Sequence, residues 1–426
     1  MKKIVVIGGG FAGLSAASFL SNSGFKIELL EASPKLGGRA YSFVDHETGA
    51  VIDNGQHILM GCYNETLKFF RLIGAENNLS KQSHLSLNFV KQNFELCPLL
   101  VSGSLYPFNL LSAVLNYSAI SFYEKLLFIK FFSKIYLYTD KDLKKLTVYE
   151  WLLLEKQTPN LIKSFWEILS VSALNTDIKK ASANIFAAVL KNIFFNGNDA
   201  SVIILPFLGL TETYCDNAFR FITNKKGSVS LSEPVITLNV QDGIIKEIVT
   251  TKRVISGFDC VISALPLYAL KKIVTENNFL SDLELDYSSI LTVHLFLKKN
   301  WIGNSFYGLI DSPVQWIFNK GTHLTVVISN ADKFMDVSQE EIIELILNEL
   351  KKYILLEKSE ISIYKIIKEK RAAFIPSNDI LDKRPSAYTP FKNFFLAGDW
   401  TDTGLPATIE SAVRSGRLAA EAVRKL

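Results

Sequence analysis

Cysteine is scarce in this chain, and the four present, Cys62, Cys97, Cys215 and Cys260, show neither zinc-site pairing nor a CxxC redox spacing. They read as reduced core or surface thiols in a reducing compartment. HExxH and GxSxG are missing, so hydrolysis has no constellation to work with. Basic residues form no arm or long block: a net charge of +4 is spread among Asp and Glu, which excludes a nucleic-acid footprint. The weak basicity still suits loose contact with an anionic membrane surface. Within the most apolar part of the chain, charges intervene before an uncharged run reaches the roughly 18 residues of a membrane span. The most apolar stretch, "PFNLLSAVLNYSAISFYEKLLFIKFFSKIYLY", is interrupted by Glu124, Lys125, Lys130 and Lys134. It reads as a pair of core helices or, alternatively, as an apolar helical cap touching the bilayer. A buried strand begins within a few residues of Met1 and leaves no room for a signal peptide, so a cytoplasmic protein is expected.

The 426 residues are 48% hydrophobic, enough for a large core and long for a single domain. "IVVIGGGFAGLSAASFL" followed by "FKIELLEAS" gives strand, turn, helix and strand within the span of a βαβ unit. "RAYSFVDHETGAVIDNGQHIL" predicts two strands joined at His46 to Gly49, "NETLKFFRLIGA" an amphipathic helix ending at Gly74, and residues 84–96 a hairpin. Apolar, aromatic-rich helices run from Phe108 to Phe195, strands return after Glu233, and a helix near 340–355 and a strand near 361–367 precede the last segment. The expected fold class is α/β with an α+β part. A discontinuous Rossmann-like dinucleotide domain (1–83, 205–270 and 385–426) is interleaved with a substrate domain of mixed sheet and apolar helices (84–204 and 271–384).

Gly8, Gly10 and Gly13 have the G-x-G-x-x-G spacing between strand and helix. Gly8 allows the tight turn, Gly10 lets backbone approach a diphosphate, and Gly13 allows close packing of helix on sheet. Glu31, ending the second strand, is placed for a ribose diol. "EASPKLGGRAYSF" adds a second close approach at Gly37 and Gly38 and a fixed cation, Arg39, which pyridine-nucleotide dehydrogenases do not usually need.

With these motifs the chain resembles the flavoprotein superfamily of amine oxidases and carotenoid desaturases. "DNGQH" at 53–57, "CYNETLKFFRLIGA", "LNTDIKKASANIF" and "LAGDWTDTGLPATIESAVRSG" look like its squalene-associated FAD-dependent desaturase branch, the hydroxysqualene dehydroxylases. The resemblance implies that Gly398 and Asp399 close over the middle of FAD and that a helix starting near Ala407 points its positive end at the flavin ring. The candidate cofactor set is Gly8, Gly10, Phe11, Ala12, Gly13, Glu31, Ala32, Gly38, Arg39, Gly55, Gln56, Val235, Gly398, Asp399, Ala407, Thr408 and Ile409. FAD is expected to be noncovalent, because no S-G-G-C-type segment near the C-terminus offers a thiol. The implied activity is reductive loss of the allylic hydroxyl of hydroxysqualene. Carotenoid or phytoene desaturation and a non-catalytic prenyl-lipid carrier are the alternatives.

The proton donor is open. His57 and Asp402 are the candidate catalytic groups; a structural histidine at a strand end and a turn residue are the commoner readings. Asp53 reads as a turn former. Glu410 reads as structural, either capping backbone near the start of its own helix or pairing with Arg414. Asp399 is expected to act through its backbone N–H.

Overall fold

The computed structural model describes residues 2–103, 105–274, 279–299 and 303–426. Its first sheet is parallel and five-stranded, in the order Ser228–Ser230, Lys26–Leu30, Lys3–Ile7, Cys260–Ser263, Phe394–Leu396. Lys3–Ile7 lies in its centre. The run is apolar without interruption because both faces are covered: Ile4 and Val6 pack with helix Phe11–Asn22, while Val5 and Ile7 pack with Leu238, Ile245 and Ile248 of a three-stranded antiparallel layer. The last helix, Ile409–Arg424, lies against the first, and Gly416 is the close point. A Cβ on Gly416 would come within 2.2 Å of Ser15 Oγ and 2.3 Å of Ala12 O. The two extremities of the chain therefore form one layer.

A second, seven-stranded mixed sheet runs in the order Ile361–Phe374, Tyr287–Leu297, His323–Ser329, Trp316–Asn319, Phe306–Leu309, Ser86–Val90, Leu96–Leu100. The pleat of Tyr287–Leu297 separates two environments. Leu291, Val293 and Leu295 join the core under helix Gln339–Leu350. Thr292 and His294 face the other way, toward the 53–57 segment. The helices between 108 and 195 enclose an aromatic core built around Phe128, Phe131, Trp151, Phe165 and Trp166.

The α/β expectation agrees with this architecture, and Ser42–Val44 pairs with Val51–Asp53 as the expected hairpin. Two strand boundaries differ, and the helix placed near 340–355 ends at Leu350. The hairpin placed at 84–96 pairs Ser86–Val90 with Leu96–Leu100, because its turn lies at 92–95. The strand placed at 361–367 continues to Phe374, since its half-exposed alternation carries on along the neighbouring strand through a bulge. All four cysteines are free thiols, with Cys97, Cys215 and Cys260 buried. Among the described residues no helix is long and apolar enough to cross a membrane.

Candidate functional site

The first turn of helix Phe11–Asn22 has Gly10 as its N-cap with no side-chain cap, so its leading amides have no intrahelical acceptor. Gly8 has φ +108°, and a Cβ on Gly13 would lie 1.9 Å from Gly8 O, so both glycines are sterically required. The second loop docks on the first: Gly37 N–H donates to Gly9 O (2.9 Å), and a Cβ on Gly38 would sit 3.2 Å from Gly10 Cα. Tyr214 fastens the pair. Its hydroxyl donates to the carbonyls of Gly37 and Ala40, and its ring stacks on Phe11 at 3.8 Å. Phe11 thus gives its side chain to the core and its backbone to the loop. Glu31 accepts from Gly9 N–H (2.6 Å) and Ser33 N–H (2.8 Å) at the mouth of this cradle, beside exposed Ala32. Glu233 N–H donates to Glu31 O, which brings the start of strand Val235–Gln241 to the same end.

The opposite end of the chain closes the cradle. Gly398, at φ +144°, donates its N–H to Ser415 Oγ, and Arg39 pairs with Asp399 at 2.6 Å. Arg39 also donates to Ala372 O. The expected cation therefore holds a carboxylate of the C-terminal turn, so the Asp399 side chain has a role besides its amide. The turn is clamped by Arg384, a buried residue not singled out from sequence, which donates to the carbonyls of Asp399, Trp400, Thr401 and Leu405 and to Thr403 Oγ1. Helix Ile409–Arg424 then starts two residues after Ala407, with Thr408 Oγ1 accepting from Ser411 N–H as N-cap.

Gly55 marks the third wall. A Cβ on Gly55 would lie 3.7 Å from His57 Nε2 and 3.8 Å from Thr292 Oγ1. Those two atoms and Gln56 Oε1 are buried without a hydrogen-bond partner among the described residues. Two unpaired buried polar atoms, His57 Nε2 and Thr292 Oγ1, beside a glycine are what a polar planar ligand, or water, satisfies. Burial, reinforced by the positive charge of Arg39, lowers the His57 pKa to about 4, so the ring is neutral at physiological pH. Uncapped helix N-terminus, glycine cradle, terminal acid and orphaned polar atoms together fit a dinucleotide carrying an extended ring system.

A cavity of about 370 Å³ adjoins the C-terminal turn. Leu405 and Pro406 of the turn border it, Tyr63, Asn64, Thr408, Glu410, Arg414 and Arg417 give it polar groups, and Phe89, Phe165, Phe194 and Trp316 contribute apolar lining. Glu410 does not take the expected partners. Its carboxylate accepts from Glu65 N–H and Thr66 N–H (both 2.9 Å) and from the Thr66 hydroxyl (2.7 Å), so it caps helix Asn64–Leu72. The reason is packing: the last helix lies across the start of that one, so the nearest unpaired amides belong to a distant segment. Burial raises its pKa, although three donors oppose the shift.

Asp402 stands apart from the cavity. It is exposed, and its Oδ1 accepts from Gly404 N–H within its own turn, which turns it away from the position expected for an acid. Asp53 is no local turn former either: it accepts from Leu210 N–H (3.0 Å) across the chain. It borders a smaller polar cavity of about 270 Å³ with Gln56, His294, Lys320 and His323. Tyr63 escaped sequence reading. Its hydroxyl has no hydrogen-bond partner among the described residues, it lines the large cavity, and burial raises its pKa well above the ordinary range.

The sequence profile of the family described as Flavin containing amine oxidoreductase matches residues 11–424. The hydroxysqualene dehydroxylase of Zymomonas mobilis subsp. mobilis is 28% identical over 423 residues, covering 98% of this chain and 97% of that protein. The zeta-carotene desaturase of Synechocystis sp. is 25% identical over 490 residues, covering 99% of this chain and 97% of that protein. A crystal structure of an oxidoreductase from Methanosarcina mazei matches with a TM-score of 0.75 at 17% identity over 100% of both chains, a likeness of fold.

Proposed function

The chain belongs to the flavin containing amine oxidoreductase family, and from that premise we propose that it is an FAD-dependent dehydroxylase converting hydroxysqualene to squalene. As a member it is a flavin-dependent oxidoreductase; FAD as the specific flavin, its noncovalent retention and the substrate are our reading. Similarity to hydroxysqualene dehydroxylases over nearly the whole chain supports the substrate. The observation that carries the reading is a mainly apolar cavity that includes Leu405, Pro406 and Thr408 of the C-terminal turn, beside the cradle.

Gly10, Glu31, Gly38, Gly398 and Asp399 would hold the dinucleotide, with Gly55, Gln56, His57 and Thr292 facing its ring. The net reaction exchanges an allylic C–OH for C–H with loss of water, and reduced flavin is the group that supplies the hydride. The protein provides the rest. The aromatic lining excludes bulk water, which would otherwise capture an allylic cation. Tyr63 keeps its proton because burial holds its pKa high, and its free hydroxyl is the donor placed to engage the leaving oxygen. His57, being neutral, serves as a hydrogen-bonding group and does not store the proton.

Anaerobic incubation with reduced FAD, hydroxysqualene and phytoene side by side, read by mass spectrometry, tests this directly. Squalene is the expected product. Failure to form it, with phytoene desaturated under oxidising conditions, overturns the reading in favour of a carotenoid desaturase, and a colourless protein that takes up no flavin would favour a lipid carrier. Tyr63→Phe is expected to lower kcat about 100-fold with flavin content unchanged. An unaltered kcat would remove Tyr63 from the mechanism.

A further inference from the structure

The helices Phe108–Asn116 and Phe122–Lys134 pack against each other and cover the aromatic core, yet their outer faces are not polar. On the second helix Phe122, Leu126 and Lys130 recur at four-residue spacing and share one face. Phe122 is 69% exposed, its neighbour Tyr123 64% and Leu126 50%, values far above those of core side chains. Phe108, Leu111 and Leu115 form a matching exposed row on the first helix. Large apolar side chains clustered on two adjacent helices mark an interaction surface.

Charge decides what covers it. Between Leu105 and Thr139 the only carboxylate is Glu124. It is buried and engaged by Ser121, Thr158 and Asn160, so it offers no negative charge to a partner. Two of the cations are engaged, Lys125 donating to Leu115 O and Lys134 pairing with Glu155, while Lys130 lies within the apolar face with no acidic partner among the described residues. A second copy of the chain meeting this face about a two-fold axis would bring Lys130 toward its own mate, with no carboxylate on the face to compensate. An anionic lipid surface accepts both the apolar side chains and the unpaired cation. The two helices also touch the cavity wall. Phe194, which lines the cavity, packs edge-on against Phe132 of the second helix, and its carbonyl accepts from the Tyr106 hydroxyl just ahead of the first.

We infer that this two-helix face docks on an anionic bilayer, which serves as the reservoir from which the apolar substrate reaches the cavity past Phe194. The inference deepens the dehydroxylase reading by assigning where the substrate is collected. Its test uses no turnover, so the two stand or fall separately. The full-length protein is sedimented with phosphatidylglycerol vesicles and with phosphatidylcholine vesicles, alongside Phe122→Ser/Tyr123→Ser/Leu126→Ser and Lys130→Glu variants. All four positions are exposed or solvent-facing, and flavin content with the thermal midpoint reports whether each variant is folded. The expected result is binding to phosphatidylglycerol that weakens with salt, falls at least about tenfold in the triple variant, and falls several-fold in Lys130→Glu. Equal partitioning of the folded triple variant, no binding by the wild type, or a concentration-dependent dimer abolished by the triple substitution would overturn it.

Discussion

Gly10→Ala is expected to yield a folded protein that no longer retains flavin. A methyl group at this position would meet no protein atom closer than 3.7 Å, the Cα of Gly38, and the backbone, at φ −83°, accepts any L-residue. The free energy of unfolding should therefore change by no more than about 0.5 kcal/mol. What the methyl removes is the close approach of a diphosphate to the amides at the helix start. Affinity for FAD should fall by about 100-fold or more, equivalent to roughly 3 kcal/mol. Gly13→Ala offers the contrast: its Cβ would overlap Gly8 O at 1.9 Å, so it should damage the fold along with the cofactor site. Denaturant unfolding together with absorbance titration of FAD separates the two. Unchanged FAD affinity in Gly10→Ala would mean that the loop holds something else.

Acid should destabilise the protein well before its carboxylates titrate. Burial lowers the pKa of His57, His294 and His323 to about 4, with further lowering from the positive charge of Arg39, of His323 and of Lys320 respectively. In the unfolded chain these rings bind protons near pH 6.5, in the folded chain only near 4. Between those limits the unfolded state holds more protons, so stability is greatest above about pH 6.5 and declines as pH falls toward 4. His294 shows why the ring resists protonation. Its Nε2–H donates to Asp53 O, because a carbonyl only accepts, and its Nδ1 then accepts from the Thr325 hydroxyl, so the neutral form has both nitrogens satisfied.

The slope reaches about 1.4 kcal/mol per pH unit for each ring. Allowing for hydration of half-buried His57 and for coupling between His294 and His323, the total should be about 3–6 kcal/mol. Glu410 and Asp53, whose pKa values burial raises, act with the opposite sign and soften the decline. Asp142, held low by hydrogen bonds from Thr139, contributes only below the ordinary carboxylate range. Unfolding midpoints at about pH 7 and about pH 4.5 measure the loss, and His294→Gln should reduce it by about a third. Constant stability across that window would show that the rings are hydrated and titrate normally.

Glycine spacing was legible because it encodes backbone proximity, which needs no tertiary knowledge. Gly8, Gly10 and Gly13 could be read from the strand and helix around them, the GGR segment from its paired glycines and cation, and the C-terminal turn from its likeness to a family. Side-chain partners were not legible in the same way. Glu410 meets Thr66 across 344 residues of chain, whereas a linear reading offers only near neighbours, the backbone at the start of its own helix or Arg414. Asp402 and Asp399 occupy one turn three residues apart, yet one is exposed and the other pairs with Arg39, a distinction set by the clamp of Arg384. Thr292 carries no motif, and nothing within "CYNETLKFFRLIGA" marks Tyr63 as functional. Both emerge because their hydroxyls lack partners where the chain's own backbone leaves space, and only assembled coordinates reveal that.

The most direct measurement is a crystal structure of the protein with FAD. One FAD molecule should accept hydrogen bonds at its diphosphate from the amides that begin helix Phe11–Asn22 and, further along, from the Gly398–Asp399 turn, with its ring beside Gly55, His57 and Thr292. FAD bound in contact with only one of the two chain ends, or lodged within the aromatic cavity itself, would contradict the account.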